Sequence, residues 1–210
     1  MIRVLIADDH GIVRSGLTML IDRQPDMHVA AEAEDGIEAV ERALSERPDV
    51  LVYQTDVLTE DVKLGGEILA QLKVATTGTD ADWVVKLIDA YPDLYEADPT
   101  MSGYQLMVSG DVFRGRFRSS FERPEALVPN AATPYRIDLH GQNYQFKRGH
   151  RIMVQVQSSW FPVIDRNPQT FVPNIFEAKA EDFRAAAHRV FRSPSMPSHL
   201  SLPVKERVQP

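Results

Sequence analysis

No cysteine occurs in the 210 residues, and that absence excludes disulfides, thiolate nucleophiles and zinc–cysteine sites. Long apolar runs are missing as well: nothing approaches the ~18 uninterrupted apolar residues that a membrane-spanning helix needs. The apolar run at Ile2–Ala7 meets Asp8, Asp9 and Arg14 before a signal-type segment with a small-residue cleavage site can form. A soluble, cytoplasmic chain with no membrane partner is expected. Basic charge is scarce, since 23 Lys and Arg stand against 30 Asp and Glu for a net charge of −7. A surface of that sign repels a phosphate backbone, so no nucleic-acid partner is expected. Internal repeats and low-complexity tracts are absent too.

What is present falls into two unlike parts. Residues 1–47 hold 5 Lys or Arg against 10 Asp or Glu, whereas the remainder is nearly balanced at 18 against 20. The apolar, β-branched run Ile2–Ala7 predicts a buried parallel strand. Ile12, Val13, Leu17, Leu20 and Ile21 at helical spacing predict a helix over 11–22, ended by Pro25-Asp26. Met27–Glu32 reads as a second strand and Asp35-Gly36 as a turn. Ile37, Val40, Ala43 and Leu44 predict a second helix over 37–46. Alternation of strand and helix implies βαβα and a parallel sheet, yet a doubly wound domain needs about five such units. The segment 1–46 is therefore an incomplete βαβα unit.

From Pro48 the pattern becomes that of strands, at Leu51–Thr55, Ile68–Ala75, Trp83–Ala90, Tyr104–Arg114, Tyr135–Leu139 and Arg151–Ser158, separated by Gly, Pro, Asp and Asn clusters. That pattern predicts an antiparallel jelly-roll β-sandwich over 47–210, so the chain as a whole is mainly β. Ala178–Phe191 alone reads as helical again, and the tail from Ser193 is Pro- and Ser-rich.

Asp8-Asp9-His10 after the first strand, Arg14-Ser-Gly16-Leu17 and Ala33-Glu-Asp-Gly36 occur in register. Over roughly residues 1–50 they resemble the receiver domain of response regulators, most closely those with a helix-turn-helix output domain. The resemblance implies a Mg²⁺-binding acid pair at Asp8 and Asp9, and a phosphoryl-accepting carboxylate at the end of the third strand. Here that position is Gln54, whose neutral amide is no nucleophile. Asp56 lies about 7 Å further along an extended strand, out of line for the transfer. Two carboxylates without a third ligand would hold Mg²⁺ weakly. The plainer alternative is a solvated pair at a strand end, with His10 and His28 as surface residues.

The stretches Arg47-Pro-Asp-Val-Leu-Val-Tyr-Gln-Thr55, Thr76-Thr-Gly-Thr-Asp-Ala-Asp-Trp83, Gly110-Asp-Val-Phe-Arg-Gly115 and Ser158-Ser-Trp-Phe-Pro-Val-Ile-Asp-Arg-Asn-Pro-Gln-Thr170 carry a second likeness. From Arg47 to about Val204 the chain is similar to the C-terminal domain of the X-prolyl dipeptidyl-peptidase and cocaine-esterase-like superfamily. The α-amino-acid ester hydrolases and glutaryl-cephalosporin acylases stand closest. The resemblance implies a galactose-binding-like jelly roll packed on an α/β-hydrolase domain that carries the Ser–Asp–His triad. A triad needs a nucleophile on a strained turn, and no Gly-x-Ser-x-Gly occurs. Ser102-Gly103 and Ser109-Gly110 are only fragments of it. His140, His150, His188 and His199 are candidates by residue type alone.

No catalytic residue is therefore expected, and no cofactor beyond weak Mg²⁺ at Asp8 and Asp9. Trp83, Trp160 and Phe161, with Phe171, either plug the sandwich ends or form a docking surface for an α/β-hydrolase domain or subunit. Asp80, Asp82 and Asp89 lack the spacing of a Ca²⁺ loop, so solvated positions are expected. The leading expectation is a non-catalytic sandwich with a truncated receiver-like segment. The alternatives are a subunit that complements a separate hydrolase chain and a degenerate phosphorelay receiver. Because Val50–Tyr53 can end the first pattern or begin the second, the jelly roll is expected to claim that strand. The N-terminal piece would then pack loosely beside it.

Overall fold

The computed structural model describes residues 2–8, 10–23, 27–34, 38 and 50–205. Asp9, the Asp35-Gly36 turn, the predicted helix over 37–46 apart from Glu38, and the Arg47-Pro48-Asp49 junction lie outside the described residues. The N-terminal elements are β1 (Ile2–Ala7), α1 (Gly11–Asp22) and β2 (Met27–Ala33). They are followed by β3 (Val50–Gln54), β4 (Val62–Thr76), β5 (Asp82–Ala90), β6 (Gln105–Arg114), β7 (Thr133–Phe146), β8 (Arg151–Gln157), β9 (His188–Val190) and β10 (His199–Ser201). One sheet has six strands in the order β2-β1-β3-β8-β5-β6. The other has the order β10-β4-β7, with β9 also paired to β4. The chain is thus a mainly β sandwich. No helix among the described residues is long and apolar enough to cross a membrane.

The strand Val50–Gln54 serves both patterns at once. On one edge it pairs parallel with β1, Val4 opposite Val50 and Ile6 opposite Val52. On the other it pairs antiparallel with β8, Val50 opposite Gln157 and Gln54 opposite Met153. The order β2-β1-β3 is that of a doubly wound sheet, and β8 continues it where a fourth parallel strand would otherwise stand. A strand has two edges and two faces, so neither pattern has to exclude the other. The loose packing expected for the N-terminal piece is thereby corrected for β1. β1 is hydrogen-bonded into the sandwich sheet, with Val4 at 3% and Ile6 at 1% exposure.

Side-chain alternation divides the central strands between two cores. Trp83, Val85 and Leu87 of β5 face the four-stranded sheet, together with Leu51 and Tyr53 of β3 and Val154 and Val156 of β8. They meet Leu64, Ile68, Leu72, Val74, Ile137, Leu139 and Phe146 there. The opposite face gathers Val4, Ile6, Val50, Val52, Ile88, Ala90 and Met153 beneath Leu17 and Ile21 of α1. Burial on both faces explains why β5 reads as a nearly continuous apolar run.

α1 is also tied at its sides. Arg14 donates to the carbonyl of Asp8 at 2.8 Å and pairs with Glu34 at 2.7 Å. Gly103, with φ of +66°, lies beneath Leu20, where an added Cβ would meet the leucine at 3.1 Å. A glycine there satisfies both the left-handed backbone and the close approach.

The predicted helix over 178–191 is absent. A 3-10 turn at Ala180–Asp182 is followed by extended chain and β9. Backbone partners outside the segment decide this. Thr77 donates to the carbonyl of Ala187 at 3.0 Å, and β9 pairs with Val74–Thr76. Phe183 is left exposed at 41%, so no apolar helical face is buried. Tertiary pairing has overridden a local helical pattern.

Both tryptophans, Trp83 and Trp160, lie far along the chain from β1, so their fluorescence reports on the sandwich. Ile6→Ala leaves a void in the shared outer core and should cost about 2–5 kcal/mol. The tryptophan-monitored denaturation midpoint should fall accordingly in a single transition. A midpoint unchanged from wild type would show the N-terminal segment to be energetically separate.

Candidate functional site

Parallel pairing of β1 and β3 brings Asp8 and Gln54 to the same sheet end. Gln54 Nε2 donates to Asp8 Oδ2 at 3.0 Å, and the His10 backbone N–H donates to Oδ1 at 2.8 Å. The amide at the would-be acceptor position thus satisfies the carboxylate it would otherwise accompany. The solvated alternative does not describe Asp8, whose side chain is only 5% exposed. His10 also lies 3.5 Å from Asp56, on the exposed side of this cluster. Among the described residues, no three His, Asp or Glu side chains converge as a metal-ligand set.

A second polar cluster closes one end of the sandwich. Gly78 lets the chain pass close under Gln169, whose carbonyl accepts from Thr79 N at 3.0 Å; a Cβ at Gly78 would sit 2.3 Å from that oxygen. Asp80 then enters the interior. Its Oδ2 accepts from Arg116 Nε at 2.8 Å and Nη2 at 2.7 Å, and its Oδ1 accepts from Ala81 N at 2.9 Å. Arg116 also donates to the Val172 carbonyl at 2.9 Å, and its guanidinium lies 4.8 Å over the Phe171 ring. Asp82 accepts from Asn167 Nδ2 at 3.0 Å, with Arg114 Nε 3.7 Å from its other oxygen. Burial pushes the Asp82 carboxyl up to about 6, an effect the Asn167 hydrogen bond and the Arg114 charge only partly offset.

The third cluster crosses between the sheets. His150 Nδ1 lies 2.9 Å from Asp89 Oδ1, and Tyr144 donates to Asp89 Oδ2 at 2.8 Å. Tyr91 packs on the imidazole at 4.3 Å between ring centroids and Tyr95 meets it edge-on at 5.5 Å. A histidine oriented by a buried acid is two thirds of a hydrolase triad. Among the described residues no serine hydroxyl bonds the His150 ring. Ser109 donates to the carbonyl of Leu139, and Ser102 accepts from Tyr95 N at 2.9 Å. His140 is exposed and faces Asp111 at 3.1 Å. His188 packs edge-on against Trp83, and burial lowers it to about 4. His199 lies on the exposed edge strand β10.

Asp80, Asp82 and Asp89 are therefore not the solvated positions expected, since all three are buried and partnered. Period-two alternation held a signal for one of them: Asp89 shares its parity with Trp83, Val85 and Leu87, and so had to face inward. The partners Arg116, Asn167 and Tyr144 come from distant loops and strands, and no local spacing announces them.

The aromatic residues separate in the same way. Trp83 is 2% exposed and packs against Tyr135 at 6.0 Å, so it belongs to the core and is removed from the candidate docking surface. An indole that follows a turn points inward once its strand is sandwiched. Trp160 is half-buried, with the Lys86 ammonium 4.7 Å over its ring, and Phe161 is 60% exposed beneath Arg166. With the exposed Val163 they form an apolar surface at the loop that follows β8.

Residues 10–201 match the family model described as the X-Pro dipeptidyl-peptidase C-terminal non-catalytic domain. The chain is 35% identical over 169 residues to cocaine esterase of a Rhodococcus species, covering 80% of this chain and 28% of that protein. It is 50% identical to the solved structure of an α-amino acid ester hydrolase, with a TM-score of 0.73 over 79% of this chain and 27% of the other. Over 50 residues it is also 50% identical to the oxygen regulatory protein NreC of Staphylococcus epidermidis, 24% of this chain and 23% of that one. The chain thus spans little more than a quarter of the length of the cocaine esterase and the ester hydrolase, and less than a quarter of NreC.

Asp82 holds its proton more tightly in the folded chain, near 6, than at its ordinary 3.8 when unfolded. Ionising it in place therefore costs stability, by about 3 kcal/mol once the pH exceeds 6, and by little below pH 4. Asp82→Asn should gain on wild type as pH rises from 4 to 6 and hold a constant difference above, read by thermal melts across that range. A wild-type-minus-variant difference that is flat with pH would remove Asp82 as the source. Arg116→Met leaves Asp80 buried without its counter-charge and should cost about 3–5 kcal/mol in urea denaturation.

Proposed function

Because the chain belongs to the family of X-Pro dipeptidyl-peptidase C-terminal non-catalytic domains, we propose that it acts as an accessory β-sandwich for an α/β-hydrolase domain that carries the reacting groups. The observation that carries this reading is the Asp89–His150 pair. It has the acid and the base of a triad but lies buried among tyrosines, with no serine hydroxyl on the ring among the described residues. With Tyr144 it joins β5 and β7 to the turn that precedes β8, which gives the sandwich a rigid interior. The relatives are more than three times the length of the region shared with this chain, and the rest of such a protein is where a triad belongs. The docking face is placed at Trp160 and Phe161 with Val163, where Phe161 and Val163 are each more than half exposed within one loop. Lys86 and Arg166 over the two rings supply a polar rim to it.

A phosphorelay role has less to stand on. The acceptor position holds Gln54, and its amide is spent on Asp8.

The purified chain should not hydrolyse p-nitrophenyl esters, Xaa-Pro anilides or amino-acid esters above buffer. Activity that survives repurification and disappears with one serine substitution would overturn the accessory role. The docking face is tested by binding to the remainder of Rhodococcus cocaine esterase, produced without its matching region. Phe161→Ala with Trp160→Ala should weaken that association about tenfold or more, as loss of central aromatic anchors does. Equal affinity for variant and wild type would move the interface elsewhere.

A further inference from the structure

An open groove of about 600 Å³ lies between the chain that follows β6 and the adjoining parts of β4 and β7. Its volume falls within the range of small-molecule sites. Leu72 and Tyr135 of the sandwich core form its floor, and neither the buried carboxylate clusters nor the Trp160–Phe161 face reaches it. One wall is aromatic: Phe117 and Phe121 stack at 6.2 Å, Phe113 meets Phe121 at 6.2 Å, and Tyr135 meets Phe113 at 5.6 Å. Phe121 is 80% exposed, so its ring presents a bare face to the opening.

The remaining charge in the lining is all of one sign. Lys73, Arg118 and Arg136 line the groove, and no Asp or Glu does. Arg118 is held in place by donating to the carbonyls of Glu125 and Ala126, each at 2.8 Å, and is partly neutralised by the Glu125 carboxylate at 3.5 Å. Arg136 and Lys73 have no ion pair among the described residues. In a chain with a net charge of −7, two unneutralised cations beside an aromatic wall are a local reversal of the overall sign.

We propose that the groove between Phe121 and Arg136 binds a small aromatic carboxylate, its ring on the phenylalanine wall and its anion on Arg136 and Lys73. Aromatic rings gain from edge-to-face and offset contact with Phe113, Phe117 and Phe121. A guanidinium supplies paired donors to a carboxylate. Aliphatic acids lack the first contribution and neutral aromatics lack the second, so the site selects for both together. This inference is independent of docking to a hydrolase domain.

Isothermal titration of the full chain with three probes tests it: 2-naphthoate, the neutral 2-naphthamide, and cyclohexanecarboxylate. Saturable 2-naphthoate binding is expected, about tenfold tighter than either of the other two. Phe121→Ala should weaken 2-naphthoate about fivefold, and Arg136→Gln with Lys73→Gln about tenfold. Phe121 and Arg136 are exposed and Lys73 is half-buried at the surface, so the melting temperature should not move, which separates lost binding from lost folding. Absence of saturable binding, equal affinity for the amide, or unchanged 2-naphthoate affinity in these stably folded variants would each overturn the proposal.

Discussion

Everything in this molecule depends on β3 being paired along both edges and packed on both faces. Its five residues join a parallel β1 to an antiparallel β8. Leu51 and Tyr53 join the interior of the sandwich, while Val50 and Val52 join the cluster under α1. The two cores are consequently not independent bodies. An apolar side chain lost from β1 changes the environment of Met153, Ile88 and Ala90, which sit on strands of the sandwich.

The junction also supplies β1, α1 and β2 with partners. Two parallel strands and the helix between them bury too little surface to offset chain entropy alone. The outer face of the six-stranded sheet supplies the missing apolar partner, and the β3 edge supplies the missing backbone partner. In return α1 covers Ile88, Ala90 and Met153, which a bare sandwich would expose to water. Gln54 completes the exchange at the sheet end by satisfying Asp8.

The buried charges follow the same logic. Asp80 with Arg116, Asp82 with Asn167, and Asp89 with His150 and Tyr144 each tie a loop or strand to a distant one. A buried ion pair adds little net stability over an apolar replacement, and breaking one is costly. Such pairs suit a scaffold that must hold its loops in one arrangement. Such a scaffold is what the proposed accessory role requires.

Much of this was legible in the residues. The strands Trp83–Ala90 and Arg151–Ser158 followed from apolar runs between turn clusters, and α1 followed from the spacing of Ile12 to Ile21. That position 54 holds glutamine and that no Gly-x-Ser-x-Gly occurs in these residues needed only the order of the chain. Tertiary structure decided the rest, wherever a local pattern admitted two partners. Residues 178–191 carry a helical pattern, yet their backbone groups are claimed by Thr77 and β4. Trp83 follows a turn and suggested a surface, but the opposing sheet buries it. Asp80 and Asp82 look like turn residues until Arg116 and Asn167 arrive from far along the chain. Sequence determined which strands and reactive groups exist; only the packing of distant segments determined which edge, face or charge each would meet, because those partners are set by three-dimensional proximity and carry no local spacing.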